Sequence, residues 1–137
     1  MRIIKNIPTV ALQQAIHNLL SKGQDKAVYG EVSESVTFPY ITIDAITAKP
    51  LDTKNSMQWN CSLTVNIWGA DDGKGKKAVY ETVSDITYLI SKYGTLVVID
   101  GFAVLDAQID LIETFPEQTT GYHGLIQINY SLSDKEE

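Results

Sequence analysis

The stretch "MQWNCSLTVNIW", residues 57–68, contains the most regular pattern in the chain. Apolar and polar residues alternate from residue 57 to residue 67 without a miss. The apolar members are Met57, Trp59, Cys61, Leu63, Val65 and Ile67. A period of two residues is typical of a β-strand that buries one face and shows the other to solvent. The stretch therefore predicts a sheet with one covered face.

Apolar residues recur at helical spacing on both sides of this strand. Between residues 8 and 22 they return every three to four positions, and Gly23 supplies a stop signal. A second set runs from Val79 to Tyr93 with spacings of 4, 3, 4 and 3 residues, and Gly94 follows it. Both patterns predict amphipathic helices that bury one face against the sheet.

Shorter runs predict the remaining elements. We expect strands at residues 27–32, 40–47, 95–101, 103–111 and 124–132, with polar loops at 49–56 and 116–121. The predicted order is α-β-β-β-α-β-β-β. Because most strands are apolar on one face only, we predict the α+β class, an antiparallel or partly mixed sheet with two helices packed on one face. Residues 1–132 are expected to form a single domain, and residues 133–137 a flexible acidic tail.

The other face of the predicted sheet is polar but weakly charged. Its expected members are Thr42, Asn60, Thr64, Asn66, Asp106, Gln108, Asp110, Gln127 and Asn129. A surface of this kind needs either water or another subunit against it.

Composition excludes several classes of protein. The net charge of −6 and the pI near 4.8 argue against a module that holds nucleic acid by neutralising phosphates. No apolar run approaches the roughly 20 residues of a membrane span, and the first ten residues contain no secretion signal. The single cysteine, Cys61, lies in the alternating strand and is expected to be a buried structural thiol.

The segment "GADDGKGKKA", residues 69–78, looks like a phosphate-binding loop but fails the spacing test. A Walker A loop that starts at Gly69 would need glycine where Lys74 stands, and no Ser or Thr follows Gly75 and Lys76. The dinucleotide pattern also fails, because Ala78 stands where its third glycine belongs. We therefore predict a strand-to-helix turn capped by Asp71 or Asp72.

Three lysines follow in this predicted first turn, namely Lys74, Lys76 and Lys77. The helix dipole disfavours cations there. They are either solvated or face an acidic partner.

No constellation of residues predicts catalysis, a cofactor or a metal. His17 and His123 lie in different elements without further ligands at metal spacing, and both are expected at the surface. Asp106 and Asp110 share a strand face, but a carboxylate pair needs a cleft to do acid–base chemistry. No nucleophile motif such as GxSxG occurs.

Five short motifs occur in order along nearly the whole chain. They are Val28-Tyr29, Phe38-Pro39-Tyr40, Ile67-Trp68, Ile99-Asp100-Gly101 and Gly121-Tyr122-His123-Gly124. In this order and spacing the chain resembles the tail completion proteins of long-tailed bacteriophages, whose turn commonly reads Leu-Asp-Gly instead of Ile-Asp-Gly. The resembled family is also similar in fold to lambda-type tail terminators.

The resemblance implies a structural protein without enzymatic activity, encoded by a phage or prophage. It implies a homo-oligomeric ring, usually a hexamer, that caps the tail tube. The implied partners are the major tail tube protein and the head connector or head-closure protein, with no specific nucleic-acid binding and no membrane. The implied location is the head-tail junction of the virion, after synthesis and assembly in the host cytoplasm. Two alternatives stay open: another neck component, such as a head-closure or minor capsid protein, and a small hydrolase or nucleotide-binding enzyme.

Loops on a rigid scaffold commonly carry binding functions, so three predicted loops are candidate partner sites. Their residues are Lys49, Asp52, Lys54 and Asn55 in the first loop, Lys74, Lys76 and Lys77 in the second, and Glu117, Gln118 and Thr119 in the third.

Overall fold

The computed structural model describes residues 2–30, 36–70, 72–117 and 121–135. The elements in chain order are α1 (Thr9–Gly23), β1 (Val28–Tyr29), β2 (Tyr40–Ile43), β3 (Thr47–Asp52), β4 (Met57–Gly69), α2 (Gly75–Tyr93), β5 (Phe102–Glu117) and β6 (Gly121–Asp134). Two helices and a six-stranded sheet confirm the predicted α+β class.

The sheet is built around β4 and β6. Its strand order is β1-β2-β4-β6-β5, and β3 pairs with β4 beside β2. This arrangement is possible because β4 has 13 residues, of which 57–62 pair with β3 and 65–68 with β2. All pairs are antiparallel except β1 with β2, so the sheet is mixed.

The alternating pattern of β4 places its apolar residues in the core. Leu63 faces Ile128 and Val65 faces Ile126 across the β4–β6 pair, and all four are at most 2% exposed. The apolar faces of both helices join the same cluster, through Leu12, Ile16 and Leu20 of α1 and Val79, Val83, Ile86 and Ile90 of α2. Both helices therefore cover one face of the sheet, as predicted. We call the other face the open face.

Cys61 belongs to this core and is 1% exposed. Burial raises the pKa of its thiol to about 11. It is a buried structural thiol, as predicted.

Three predicted elements are wrong. The strand predicted at 40–47 is interrupted at residues 44–46, which separate β2 from β3. Residues 95–101 form no strand but connect α2 to β5, with a single bridge between Ile99 and Phe102. Val97 and Ile99 pack against the core, which accounts for the apolar run. Conversely, residues 49–52 are not loop but part of β3, where pairing with β4 holds the backbone extended despite Pro50. Proline is tolerated there because β3 is an edge strand. The observed order is α-β-β-β-β-α-β-β.

The predicted hairpin between β5 and β6 is present, but its loop is shorter than predicted. Pro116 and Glu117 belong to β5, and Glu117 pairs with Gly121 of β6. At the other end β6 continues to Asp134, while the predicted division of the chain at residue 132 stays a prediction.

The turn before α2 explains the glycines of residues 69–78. Gly73 has a φ of +79°, which favours glycine. A side chain at Gly75 would collide with the backbone of Ala70, because the chain doubles back closely after β4. The Asp72 carboxylate accepts a hydrogen bond from the backbone N–H of Lys74 at 2.9 Å. It does not cap the helix, which begins at Gly75 without a side-chain cap, and Asp71 lies outside the described residues.

One hydrogen bond ties the end of α2 to the sheet. The buried Tyr130 hydroxyl donates to the Gly94 carbonyl oxygen at 2.7 Å, and burial raises the pKa of Tyr130 far above its ordinary value. We expect Tyr130→Phe to lower the free energy of unfolding by about 1.5 kcal/mol, because the Gly94 carbonyl loses its partner. Urea unfolding measures this change.

Tyr88→Phe is the matched control, since Tyr88 is 55% exposed and its hydroxyl contacts only the exposed Lys92 among the described side chains. It should change the unfolding free energy by less than about 0.5 kcal/mol. Equal effects of the two changes would contradict the role of Tyr130.

Candidate partner-binding surfaces

The first group of predicted partner residues lies on the β3–β4 hairpin. Lys49 and Asp52 are on β3, and Lys54 and Asn55 are in the turn before β4. All four are exposed. The turn is closed by the Thr53 hydroxyl, which accepts a hydrogen bond from a backbone N–H across the turn at 3.1 Å. This group therefore sits on a defined hairpin and not on a free loop.

The N-terminal segment is bound to the same hairpin through Arg2. Its guanidinium Nε donates to the Asp52 carboxylate at 2.9 Å, and its Nη2 donates to the Thr53 carbonyl oxygen at 2.8 Å. The Arg2 backbone N–H also donates to Asp52 at 3.1 Å. Hydrogen bonds from the Arg2 side chain and backbone hold the pKa of Asp52 below its ordinary value.

This contact predicts a release of the N-terminal segment in acid. A carboxylate whose folded-state pKa is lowered contributes stability above its ordinary pKa, near 4, and loses that contribution as the pH falls through the lowered value. We therefore expect Arg2→Gln to raise the pKa of Asp52 toward its ordinary value, as measured by NMR titration of the carboxyl carbon. An Asp52 titration that is identical in Arg2→Gln and the unmodified chain would show that the contact does not form.

The predicted lysine group lies where α2 begins. Lys74 precedes the helix, and Lys76 and Lys77 are in its first turn. The Lys76 Nζ lies 5.7 Å from the centre of the Tyr80 ring, and the Lys77 Nζ lies 3.7 Å from Glu81. Both contacts are at the surface, where such interactions contribute little.

The third predicted group is represented by Glu117, because Gln118 and Thr119 lie outside the described residues. Glu117 ends β5, where its carboxylate Oε1 lies 3.0 Å from His123 Nδ1. The other ring nitrogen of His123 lies 2.8 Å from the Asn66 side-chain oxygen. His123 is only 7% exposed, so the prediction of a surface histidine is wrong.

His123 belongs to a row of aromatic rings that crosses the open face. Tyr40, Trp68, His123 and Phe115 are direct cross-strand neighbours on β2, β4, β6 and β5. Successive ring centres are 6.5, 4.0 and 4.9 Å apart. Phe38 extends the row at 5.2 Å from Tyr40 and is 39% exposed. We call these five residues the aromatic row.

Sequence reasoning missed this row because it depends on strand register. Trp68 and His123 stand at positions where the alternation predicts polar residues, and His123 was predicted to lie at the surface. Only the pairing of Trp68 with His123 brings the rings together. The one available signal was that four of the row's members belong to three of the five short motifs noted above: Phe38 and Tyr40, Trp68, and His123.

The candidate residues separate into two ends of the sheet. The β3–β4 turn precedes Met57, at the start of β4. The α2 lysines, Glu117 and the aromatic row lie near Gly69, at the other end of β4, because Gly69 pairs with Tyr122 beside the β5–β6 hairpin. At about 3.3 Å per residue, the 13 residues of β4 separate these ends by about 40 Å. We call them the hairpin end and the aromatic end.

The described residues provide little for catalysis or metal binding. Asp106 accepts a hydrogen bond from Gln108 at 2.9 Å, and both Asp106 and Asp110 are exposed on β5. Within the described ranges, no group of three or more His, Cys, Asp or Glu side chains could hold a metal ion. No helix in these ranges is long and apolar enough to cross a membrane.

Comparison with known proteins identifies the class. A chain from a solved structure titled "Virion of native gene transfer agent (GTA) particle" has the same fold, with a TM-score of 0.60 and 10% sequence identity. The similarity covers 92% of this chain and 93% of that chain. No curated protein sequence matches this chain. The fold is thus one that a virion subunit also adopts.

The model of one protein family, described as "Tail completion protein gp17", matches residues 10–130 of this chain. Because the match covers most of the chain, the protein belongs to the family of tail completion protein gp17. It is a structural protein of a phage tail, and its location is the virion.

Proposed function

We propose that this protein completes the phage tail by forming a ring, expected to be a hexamer, on the end of the tail tube. The ring then joins the tube to the head connector or head-closure protein. The observation that carries the proposal is the family match over residues 10–130. A role between two assemblies also needs binding residues at two places, and the candidate residues lie at two ends of the sheet.

The two ends differ in chemistry, which suits two different partners. The hairpin end presents Asn55 of the β3–β4 turn together with the exposed Ile3 and Lys5 of the N-terminal segment. The aromatic end presents Phe38 and the partly exposed Trp68, and aromatic residues are enriched at protein interfaces. We propose that one end contacts the tail tube protein and the other contacts the head.

We propose no enzymatic activity. The His123–Glu117 pair is the arrangement in the described residues that most resembles an acid–base pair. However, the His123 ring is stacked 4.0 Å from Trp68 and packed against Phe115, which leaves no room for a substrate at the ring. The pair is better explained as a partly buried polar contact between β5 and β6.

Reconstitution tests the proposal. Purified chain carrying a gold-labelled affinity tag is added to phage tails that lack this protein, and electron microscopy locates the label. We expect label at one end of the tube only, ring-shaped density there, and recovery of joining when filled heads are added. Label at neither end would contradict the proposal. Label on the head connector in the absence of tails would instead favour a head-closure protein.

A further inference from the structure

The β5 edge and the β3 edge of the sheet carry opposite charge. In the described part of the chain, β5 pairs only with β6 at one side of the sheet, and β3 pairs only with β4 at the opposite side, which it shares with β2 and β1 further along β4. An edge strand leaves backbone groups and side chains free for contact with a neighbouring molecule. The two edges can therefore be compared as contact surfaces.

The β5 edge is acidic with apolar residues between the charges. Among residues 102–117 there are four carboxylates and no lysine or arginine. We call six exposed residues of this strand the acidic edge, namely Leu105, Asp106, Asp110, Leu111, Ile112 and Glu113. The exposed fractions of Leu105, Leu111 and Ile112 are 52%, 39% and 45%. Exposed apolar residues at such a density on one strand are typical of an interface.

The β3 edge is basic. Arg2, Lys49 and Lys54 supply three cations, and we call these three residues together with Leu51 the basic edge. Asp52 is the nearby carboxylate, and Arg2 already binds it at 2.9 Å. Leu51 is 49% exposed and supplies an apolar contact between the two lysines.

Strand register places the central residues of both edges on the open face. Lys49 and Leu51 stand opposite Asn60 and Gln58 of β4, which are open-face positions. On β5, Asp106 stands opposite Ser131, Leu111 opposite Gln127 and Glu113 opposite Leu125, all open-face positions of β6. Through β6, Leu111 aligns with Thr64 of β4 and Glu113 with Asn66, six positions further along β4 than the partners of Leu51 and Lys49. Two copies with their open faces on the same side, displaced by about six residues along the strands, would bring Lys49 to Glu113 and Leu51 to Leu111.

Such a contact joins two different patches, so it is heterologous. Heterologous contacts generate closed rings when the rotation between copies closes after a fixed number of subunits. The register of β5 shifts between Val104 and Asp106 and again between Ile109 and Leu111. Because these bulges interrupt the regular row of backbone groups, side chains and not continuous strand pairing make the contact.

We infer that the acidic edge of one copy docks on the basic edge of the next copy in the ring. The inference rests on the proposed ring function and identifies the surface through which the ring closes. Charge complementarity fixes the orientation of the copies, while the apolar residues between the charges supply the buried area.

Charge reversal on each edge tests the inference in the full-length chain bound to tails. The acidic-edge variant is Asp106→Lys/Asp110→Lys/Glu113→Lys, and the basic-edge variant is Lys49→Glu/Lys54→Glu. The measurement is the fraction of tail ends that carry a ring in electron micrographs. We expect each variant to lower this fraction at least about tenfold, because like charges then face each other at every contact.

Rescue separates a lost contact from a lost fold. The combined variant, reversed on both edges, should form rings again to within about threefold of the unmodified chain, because its charges are again complementary. An equimolar mixture of the two single-edge variants should also assemble, with the copies alternating. Neither rescue is expected if the substitutions act by unfolding the chain.

The control variant is Lys22→Glu/Lys92→Glu, which makes the same charge change as the basic-edge variant on exposed positions of the helices. It should assemble like the unmodified chain. Normal rings from both single-edge variants, or no recovery in the combined variant, would overturn the edge assignment while the proposed function stands. An unmodified chain that never reaches the tail end would overturn the proposed function itself.

Discussion

Replacement of Gly124 by leucine is expected to lower the free energy of unfolding by at least about 3 kcal/mol, the upper part of the range for overpacked cores. Gly124 lies on β6, where α2 packs closely against the sheet. A Cβ atom at this position would stand 2.6 Å from Val83 Cγ2 and 2.9 Å from Val79 Cγ1. Both valines are in the core, so neither can move aside without displacing α2 from the sheet.

Gly30→Leu is the matched control for this change. Among the described residues, no heavy atom lies within 4 Å of a Cβ atom placed at Gly30, and Gly30 is exposed. Its substitution should change the unfolding free energy by less than about 0.5 kcal/mol. Chemical denaturation of both variants measures the difference. A Gly124→Leu chain as stable as the Gly30→Leu chain would show that the helix does not approach the sheet as closely as described.

Replacement of His123 by alanine is expected to destabilise the protein by about 2–3 kcal/mol, because it removes ring stacking and leaves a buried amide without its partner. His123 stacks on Trp68 at 4.0 Å and contacts the side chain of Asn66 at 2.8 Å. Asn66 is 5% exposed, so water cannot easily replace the lost contact. Thermal unfolding and the fluorescence of Trp68 would both report the change.

Glu117→Gln separates the contribution of the Glu117 contact from that of the ring stacking around His123. The glutamine keeps an oxygen acceptor for His123 and leaves the stacking with Trp68 and Phe115 in place. Because the Glu117 side chain is 33% exposed, we expect a loss below about 1 kcal/mol. If Glu117→Gln costs as much as His123→Ala, the carboxylate and not the stack holds the cluster together.

The sequence predicts those helices and strands in which the spacing of apolar residues matches one buried face. Strand β4, the two helices and β6 were predicted because each buries one continuous face, which imposes a period of two or of three to four residues. The predicted strand at 95–101 failed because an apolar run also occurs where a connection packs against the core. Val97 and Ile99 are examples.

The elements that sequence missed depend on pairing. Strand β3 contains Pro50, two charged residues and no buried side chain, so no pattern marks it. Its extended conformation comes from β4, which continues past the end of β2 and offers a free edge. Bulges in β5 similarly shift the alternation after Ile109, which is why the predicted strand ended near residue 111.

The sequence predicts which polar residues are candidates for partner contacts, but not how these residues are arranged in the sheet. Lys49, Lys54 and Lys76 were recognised as polar positions near turns, and they are exposed as expected. Their division between two distant ends of the sheet follows from topology, which no local pattern contains. The aromatic row and the charge difference between the two edges likewise depend on which strands are neighbours.

The most direct test of the tail completion function is interruption of the gene in a phage that encodes this protein. Electron microscopy of the lysate then counts joined particles, free filled heads and free tails. We predict filled heads and headless tails with almost no joined particles, and recovery of joined particles when the gene is supplied on a plasmid. A normal yield of joined, infectious particles from the interrupted phage would contradict the account.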